Sequence, residues 1–191
     1  IDVFCEKPLA PTEEQCVELF ALAKANDARL FVDWVFLYSD GYRSVARALS
    51  KSKCTGAVLC RLNKGPVRYD TDAKWDLMSH DMSILVGLFG MPIKCDILTH
   101  SNDPYNLVPD GQATGYVETA NGARIFLDAS WEDDTKIRDA IFFFEDKSRL
   151  VWDDLTKTVT HHRRDLSSIT HCQDQPLRTA MTKFLSGENF K

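Results

Sequence analysis

The sequence predicts an α/β tail of one domain followed by an α+β domain with a large, mostly antiparallel open sheet. Three observations predict it. Strand and helix patterns alternate at the front of the chain, and from Ile93 onward strand patterns follow one another with hardly a helix between them. Asn121-Gly122 sits between two of those strands as a strong hairpin turn. The expected division is 1–37 for the tail and 38–191 for the α+β domain.

The tail opens on "VFCEKPLAPTEEQ". An apolar run stops at Glu6-Lys7-Pro8, and a helix signal follows at once: Thr12 as cap, Glu13 and Glu14 at the positive end of the dipole, and Gln15 three residues after the cap. Val17, Phe20 and Ala23 recur at helical spacing toward Asn26. "RLFVDWVF" (29–36) reads as a buried strand, and "SDGYRSVARALS" (39–50) as a short helix with Val45, Ala48 and Leu49 inward. "TGAVLCRLN" (55–63) is a further strand. A charged loop with Gly65-Pro66 leads to a helix from about Trp75 to Phe89, stopped by Gly90. "IKCDILTH", "QATGYVETA", "ARIFLDASWE", "DAIFFFED", "SRLVWDD" and "TVTHHRR" are then strands, for which antiparallel neighbours are the natural outcome. "PLRTAMTKFLSG" (176–187) closes with a helix carrying a Leu177, Met181, Phe184 and Leu185 stripe.

Composition excludes several classes. The 191 residues are 44% hydrophobic, enough for a real core, and the net charge of -5 argues against a broad phosphate-binding face. Nucleic acid is therefore not an expected partner, and neither is a membrane, since no apolar run reaches transmembrane length. Six scattered cysteines show no C-x-x-C pair and no zinc spacing, so no metal is expected and a cytoplasmic setting is. His161 and His162 in "THHRRD" are adjacent strand residues pointing to opposite faces, which does not suit a shared ion. No G-x-S-x-G elbow and no specific pair of opposed carboxylates points to hydrolysis.

Two places carry chemistry. Lys7 lies on a strand-to-helix connection, and open α/β sheets bind ligands beyond the carboxyl ends of their strands. Asp76 and His80 are four apart on a predicted helix, so they share a side, and a carboxylate one turn before an imidazole can orient the ring and raise its basicity. Each has an ordinary reading as well: a solvated loop lysine, a helix cap and a satisfied core histidine.

Together, "EKP" after a strand and D-x-x-x-H-D on a helix ahead of an antiparallel sheet resemble the Gfo/Idh/MocA family of NAD(P)-dependent oxidoreductases. Over "CRLNKGPVRYDTDAKWDLMSHDMSIL" the resemblance is to the branch that oxidises the 3-hydroxyl of nucleotide-linked N-acetylamino sugars and their uronic acids. It implies that residues 1–37 end a Rossmann-like dinucleotide-binding domain and that 38–191 form a substrate-binding and oligomerisation domain. It implies Lys7, Asp76 and His80 as catalytic, Glu6, Lys7 and Pro8 beside the cofactor, and Tyr42, Arg43, Asn63, Arg68 and Trp75 as candidates for holding a sugar or its phosphates. The cofactor would be NAD or NADP. The sheet would form a homodimer or homotetramer, through Ile125, Leu127 and Trp131 or through the opposite row of Phe126 and Tyr116. The family's G-x-G-x-x-G is not present in these residues, and the expectation is that the natural protein carries an earlier half. A dehydrogenase of free sugars or inositols, or a non-catalytic dinucleotide-binding sensor of the same fold, are the alternatives.

Overall fold

The computed structural model describes residues 1–66, 68–101, 109–173 and 175–187. It divides into two compact units, one of residues 1–39 with the C-terminal helix and one of residues 40–173. The closing helix, read from sequence as part of 38–191, thus joins the first unit.

In the first unit β1 (Val3–Glu6) and β2 (Leu30–Asp33) pair in parallel, Val3 opposite Leu30 and Glu6 opposite Asp33. The connecting α1 (Glu13–Ala25) starts as expected, with the Thr12 hydroxyl accepting the Gln15 N–H at 3.3 Å. The strand expected over 29–36 is shorter: it ends at Asp33, and Val35–Tyr38 wind into a 3₁₀ turn. Phe4, Phe31 and Phe184 cluster with ring centroids 4.9 to 6.0 Å apart. Arg29 ties the cluster down, donating to Asp2 at 2.7 Å and to the Phe184 carbonyl at 3.0 Å, with its guanidinium 5.1 Å from the Phe184 ring. Two expected stripes do not face inward. Val17 and Phe20 on α1 are exposed, as are Leu177, Met181 and Leu185 on α4 (Pro176–Ser186), where Ala180 is the buried residue.

The second unit is an eight-stranded sheet. Its strands are β3 (Cys54–Lys64), β4 (Lys94–His100), β5 (Gln112–Glu118), β6 (Arg124–Ser130), β7 (Glu132–Phe144), β8 (Arg149–Asp153), β9 (Thr158–Arg163) and β10 (Leu166–His171). Their spatial order is β10-β9-β8-β7-β3-β6-β5-β4. Every pairing is antiparallel except β3 with β6. The Asn121-Gly122 hairpin is present, with Gly122 at φ 83°, a conformation that side chains resist. One face is the core, where Leu59, Ile125, Leu127, Phe142 and Trp152 meet Val45 of α2 (Asp40–Leu49) and Ile84 and Leu85 of α3 (Ser79–Phe89). Gly41 lies directly on the Trp152 indole, so any Cβ there would collide with the ring. Ile125, Leu127 and Trp131 are buried in this core, which corrects their reading as an open row; the open face carries Phe126 and Tyr116. The helix expected from Trp75 is interrupted: Lys74–Met78 form a π-helical turn before α3 begins.

Candidate active site

In the first unit, β1 ends in a corner at Glu6, Lys7 and Pro8. Glu6 is exposed, Lys7 half-buried and Pro8 exposed, and the Lys7–Pro8 peptide is cis. Asp33, in register with Glu6, was passed over in the sequence although a carboxylate after "LFV" was the available signal. It is 1% exposed, and among the described residues neither carboxyl oxygen has a hydrogen-bond partner. Burial, with the Glu6 carboxylate opposing, pushes its pKa up to about 6. The nearby Tyr38 phenol is pushed up to about 12, by burial and then by Asp33.

The second unit carries the helix motif. The π turn packs on β5 and β6, and single π turns recur at functional sites because they re-aim the side chains they carry. Asp76 sits in this turn and ion-pairs with Arg68 at 3.3 Å, while Arg68 also grips Asp70 at 2.8 Å. His80 follows, half-buried, in the first turn of α3. Trp75 is 48% exposed, its backbone N–H donating to the Asp72 carboxylate at 2.8 Å and the Lys74 ammonium 5.5 Å from its ring. Asn63 is half-buried near the end of β3.

Arg68, Trp75, Asp76 and His80 therefore share one short segment that follows the end of β3, where Asn63 lies. Tyr42 and Arg43 do not join them: their helix packs on β8 and β9, over the other half of the sheet. Burial raises the Tyr42 phenol, and Arg43 is held by Asp40 at 2.5 Å. The sequence reading also missed the Arg61–Asp81 pair, in which Asp81 belongs to the quoted motif and Arg61 interrupts the apolar run of β3. Among the described residues no group of three His, Cys, Asp or Glu could hold a metal ion. No described helix is long and apolar enough to cross a membrane.

No protein-family model matches the chain. Among curated proteins, the inositol 2-dehydrogenase of Burkholderia cenocepacia is 34% identical over 94 residues, 46% of this chain and 28% of that protein. That of Ralstonia nicotianae is 37% identical over 95 residues, again 46% and 28%. The chain thus spans little more than a quarter of the curated relatives it matches. Among solved structures, the UDP-N-acetylglucosamine 3-dehydrogenase GnnA of Acidithiobacillus ferrooxidans superposes with a TM-score of 0.84 at 20% identity, over 97% of this chain and 61% of that one. The 3-ketoreductase KijD10 of Actinomadura kijaniata, solved with TDP-benzene and NADP, gives 0.82 at 19%, over 100% and 64%. An inositol dehydrogenase homologue of Azotobacter vinelandii, solved with NADH and myo-inositol, gives 0.77 at 16%, over 90% and 50%. Over nearly its whole length the chain thus shares the fold of these dehydrogenase and ketoreductase structures.

Proposed function

We propose that the intact protein is an NAD(P)-dependent dehydrogenase acting on a hydroxyl-bearing ring carbon of a sugar. The observation that supports this reading is that Lys7 follows the end of a parallel strand while Asp76 and His80 stand at a helix start on the sheet, the kinds of place where open α/β folds put chemistry. The corner fits a nicotinamide in chemical character. Glu6 and Lys7 stand open or half-open at the strand end, and the orphaned Asp33 carboxyl offers acceptors to a group rich in N–H and O–H donors. Glu6, Lys7 and Pro8 would hold it, and when bound it supplies the hydride acceptor.

The protein's own residues handle the proton. His80 removes it from the reacting hydroxyl. Lys7 hydrogen-bonds to the same oxygen and favours its developing negative charge, and Asp76 steadies the imidazole or the ammonium. Asn63, Arg68 and Trp75 bind the sugar or its phosphates, and Tyr42 and Arg43, on the helix over β8 and β9, are left out of that role. A nucleotide-linked sugar is the preferred substrate, supported by the likeness to GnnA. An inositol or free sugar is the second reading, favoured by the sequence match to inositol 2-dehydrogenases.

Assembly through the open sheet face belongs to the same proposal. Tyr116, Phe126, Val58, Ile141, Val151, Thr160 and Ile169 form one row across seven strands. An acidic row of Asp128, Asp139 and Asp153 flanks it on one side, and on the other a row of Lys94, Glu118, Arg124 and Arg149 that is basic on balance. Two such faces laid head to foot set acid against base across an apolar centre, a self-complementary twofold contact. Phe126→Arg should then give a monomer by sedimentation, and a wild-type monomer would dispose of the contact. The cytoplasm is the proposed setting, supported by six free cysteines.

The direct test follows nicotinamide absorbance while UDP-linked amino sugars and uronic acids, then free sugars and inositols, are offered to the intact protein. Turnover names the class, and Lys7→Ala or His80→Ala should lower kcat by at least about a hundredfold with cofactor affinity kept. Cofactor binding without any turnover would replace the enzyme by a sensor of the same fold.

A further inference from the structure

The centre of the second unit holds a charge pair that the proposed chemistry leaves unused. Arg61, midway along β3, donates from Nε and Nη2 to Asp81 Oδ2 and Oδ1 at 3.2 and 2.8 Å, with the two side chains 7% and 6% exposed. Asp81 lies in the first turn of α3, among Met78, Ile84 and Leu85, all buried with it. These residues turn the same way, toward the sheet.

Stability does not account for the pair. A buried ion pair is often no better than apolar side chains of the same volume, and Arg61 stands opposite a second cation, Arg138, in the β3–β7 register. What a two-pronged guanidinium does supply is direction, because both bonds form at only one orientation of the partner. Upstream of Asp81 the helix has no regular register to inherit, since Lys74–Met78 are π-helical and Asp76 is drawn to Arg68.

His80 immediately precedes Asp81, about 100° further round the helix. With side-chain tips about 5–6 Å from the axis, a helix rotation of about 10° carries the imidazole about 1 Å. A displacement of that size can cost about a hundredfold where a reacting group must be held in place.

We propose that Arg61 and Asp81 are positioning residues: their forked pair locks the rotation of α3 against β3 and thereby sets where His80 points. This rests on the dehydrogenase reading for its consequence, not for its geometry. The test in the intact protein replaces both together, Arg61→Met with Asp81→Leu. The expected result is a melting temperature equal to or above wild type, kcat at least tenfold lower, an unchanged KM for the dinucleotide, and a pH midpoint of kcat displaced together with the His80 ring titration seen by NMR. Arg61→Lys, which keeps the charge and loses the fork, should displace both midpoints the same way with a smaller loss of kcat.

A folded double variant with wild-type kcat, pH profile and His80 titration overturns the proposal. Should that variant not fold, Arg61→Lys decides on the same readouts. Absence of turnover in the wild type on every sugar and inositol would overturn the dehydrogenase reading alone. The His80 titration still reports on the pair, and an unchanged titration in the variants overturns it.

Discussion

Asp33 and Asp81 are both buried, 1% and 4% exposed, yet they live in opposite circumstances. Asp81 is held by two guanidinium hydrogen bonds. Asp33 accepts none, faces Glu6 across the β1–β2 pair, and keeps its proton up to about pH 6. Burial by itself therefore says little about a charge. The paired one holds two elements in a fixed relation, whereas the unpaired one is a standing cost at a strand end, the kind of site where such a cost accompanies function.

The largest effect should come from breaking the pair. Asp81→Ala leaves Arg61 buried without its forked partner and should cost about 3–5 kcal/mol in denaturant unfolding; a loss below about 1 kcal/mol would mean that Arg61 reaches water or another anion.

The orphan should respond with the opposite sign. Below pH 3.8 the Asp33 carboxyl is protonated both folded and unfolded; between there and about 6 the unfolded chain ionises first, so the folded state loses ground, in full above about 6. Asp33→Asn should accordingly gain roughly 2–3 kcal/mol at pH 7 to 8 and nothing near pH 3. Thermal unfolding across that range checks it, and a variant less stable than wild type at pH 8 would show that a partner does hold the ionised carboxyl.

The smallest effect belongs to an ion pair that is neither buried nor orphaned. Lys64 and Asp134 meet at 2.5 Å with side chains 72% and 82% exposed, and replacing both by Ala should leave the melting temperature unchanged at physiological salt. A clear loss would place this pair with Arg61–Asp81 rather than apart from it.

Much of the fold was legible because local chemistry agrees with it. The Thr12 cap, the Asn121-Gly122 turn and the strand run after Ile93 are each specified by a few adjacent residues. What escaped depends on partners distant in sequence. "LSSITH" has little strand character beyond one isoleucine and becomes β10 only because β9 offers it an edge. The alternation in "ARIFLDASW" marks two faces, but not which one α3 will cover, so Ile125 and Leu127 were equally eligible for the outside. The apolar spacing on α1 and the stripe on α4 marked helices, yet spacing does not say what lies against it, and α1 buries none of its residues. In the site, motif residues were found by pattern, while Arg61 and Asp33 were hidden by their apolar neighbours. The π turn has no sequence signature at all, since nothing in "KWDLM" forbids an ordinary helix.

The parallel seam between β3 and β6 has a consequence for how the chain comes to be folded. β3 precedes both of its neighbours in sequence, β6 by about sixty residues and β7 by about seventy. During synthesis "AVLCRL" must wait as an unpaired apolar strand until Arg124 onward has appeared, while β5 and β6 can close their hairpin at once. Assembly of the sheet is thus an insertion of the oldest strand between two younger ones, and pulse-labelled hydrogen exchange should find the amides of β3 protected no sooner than those of β7.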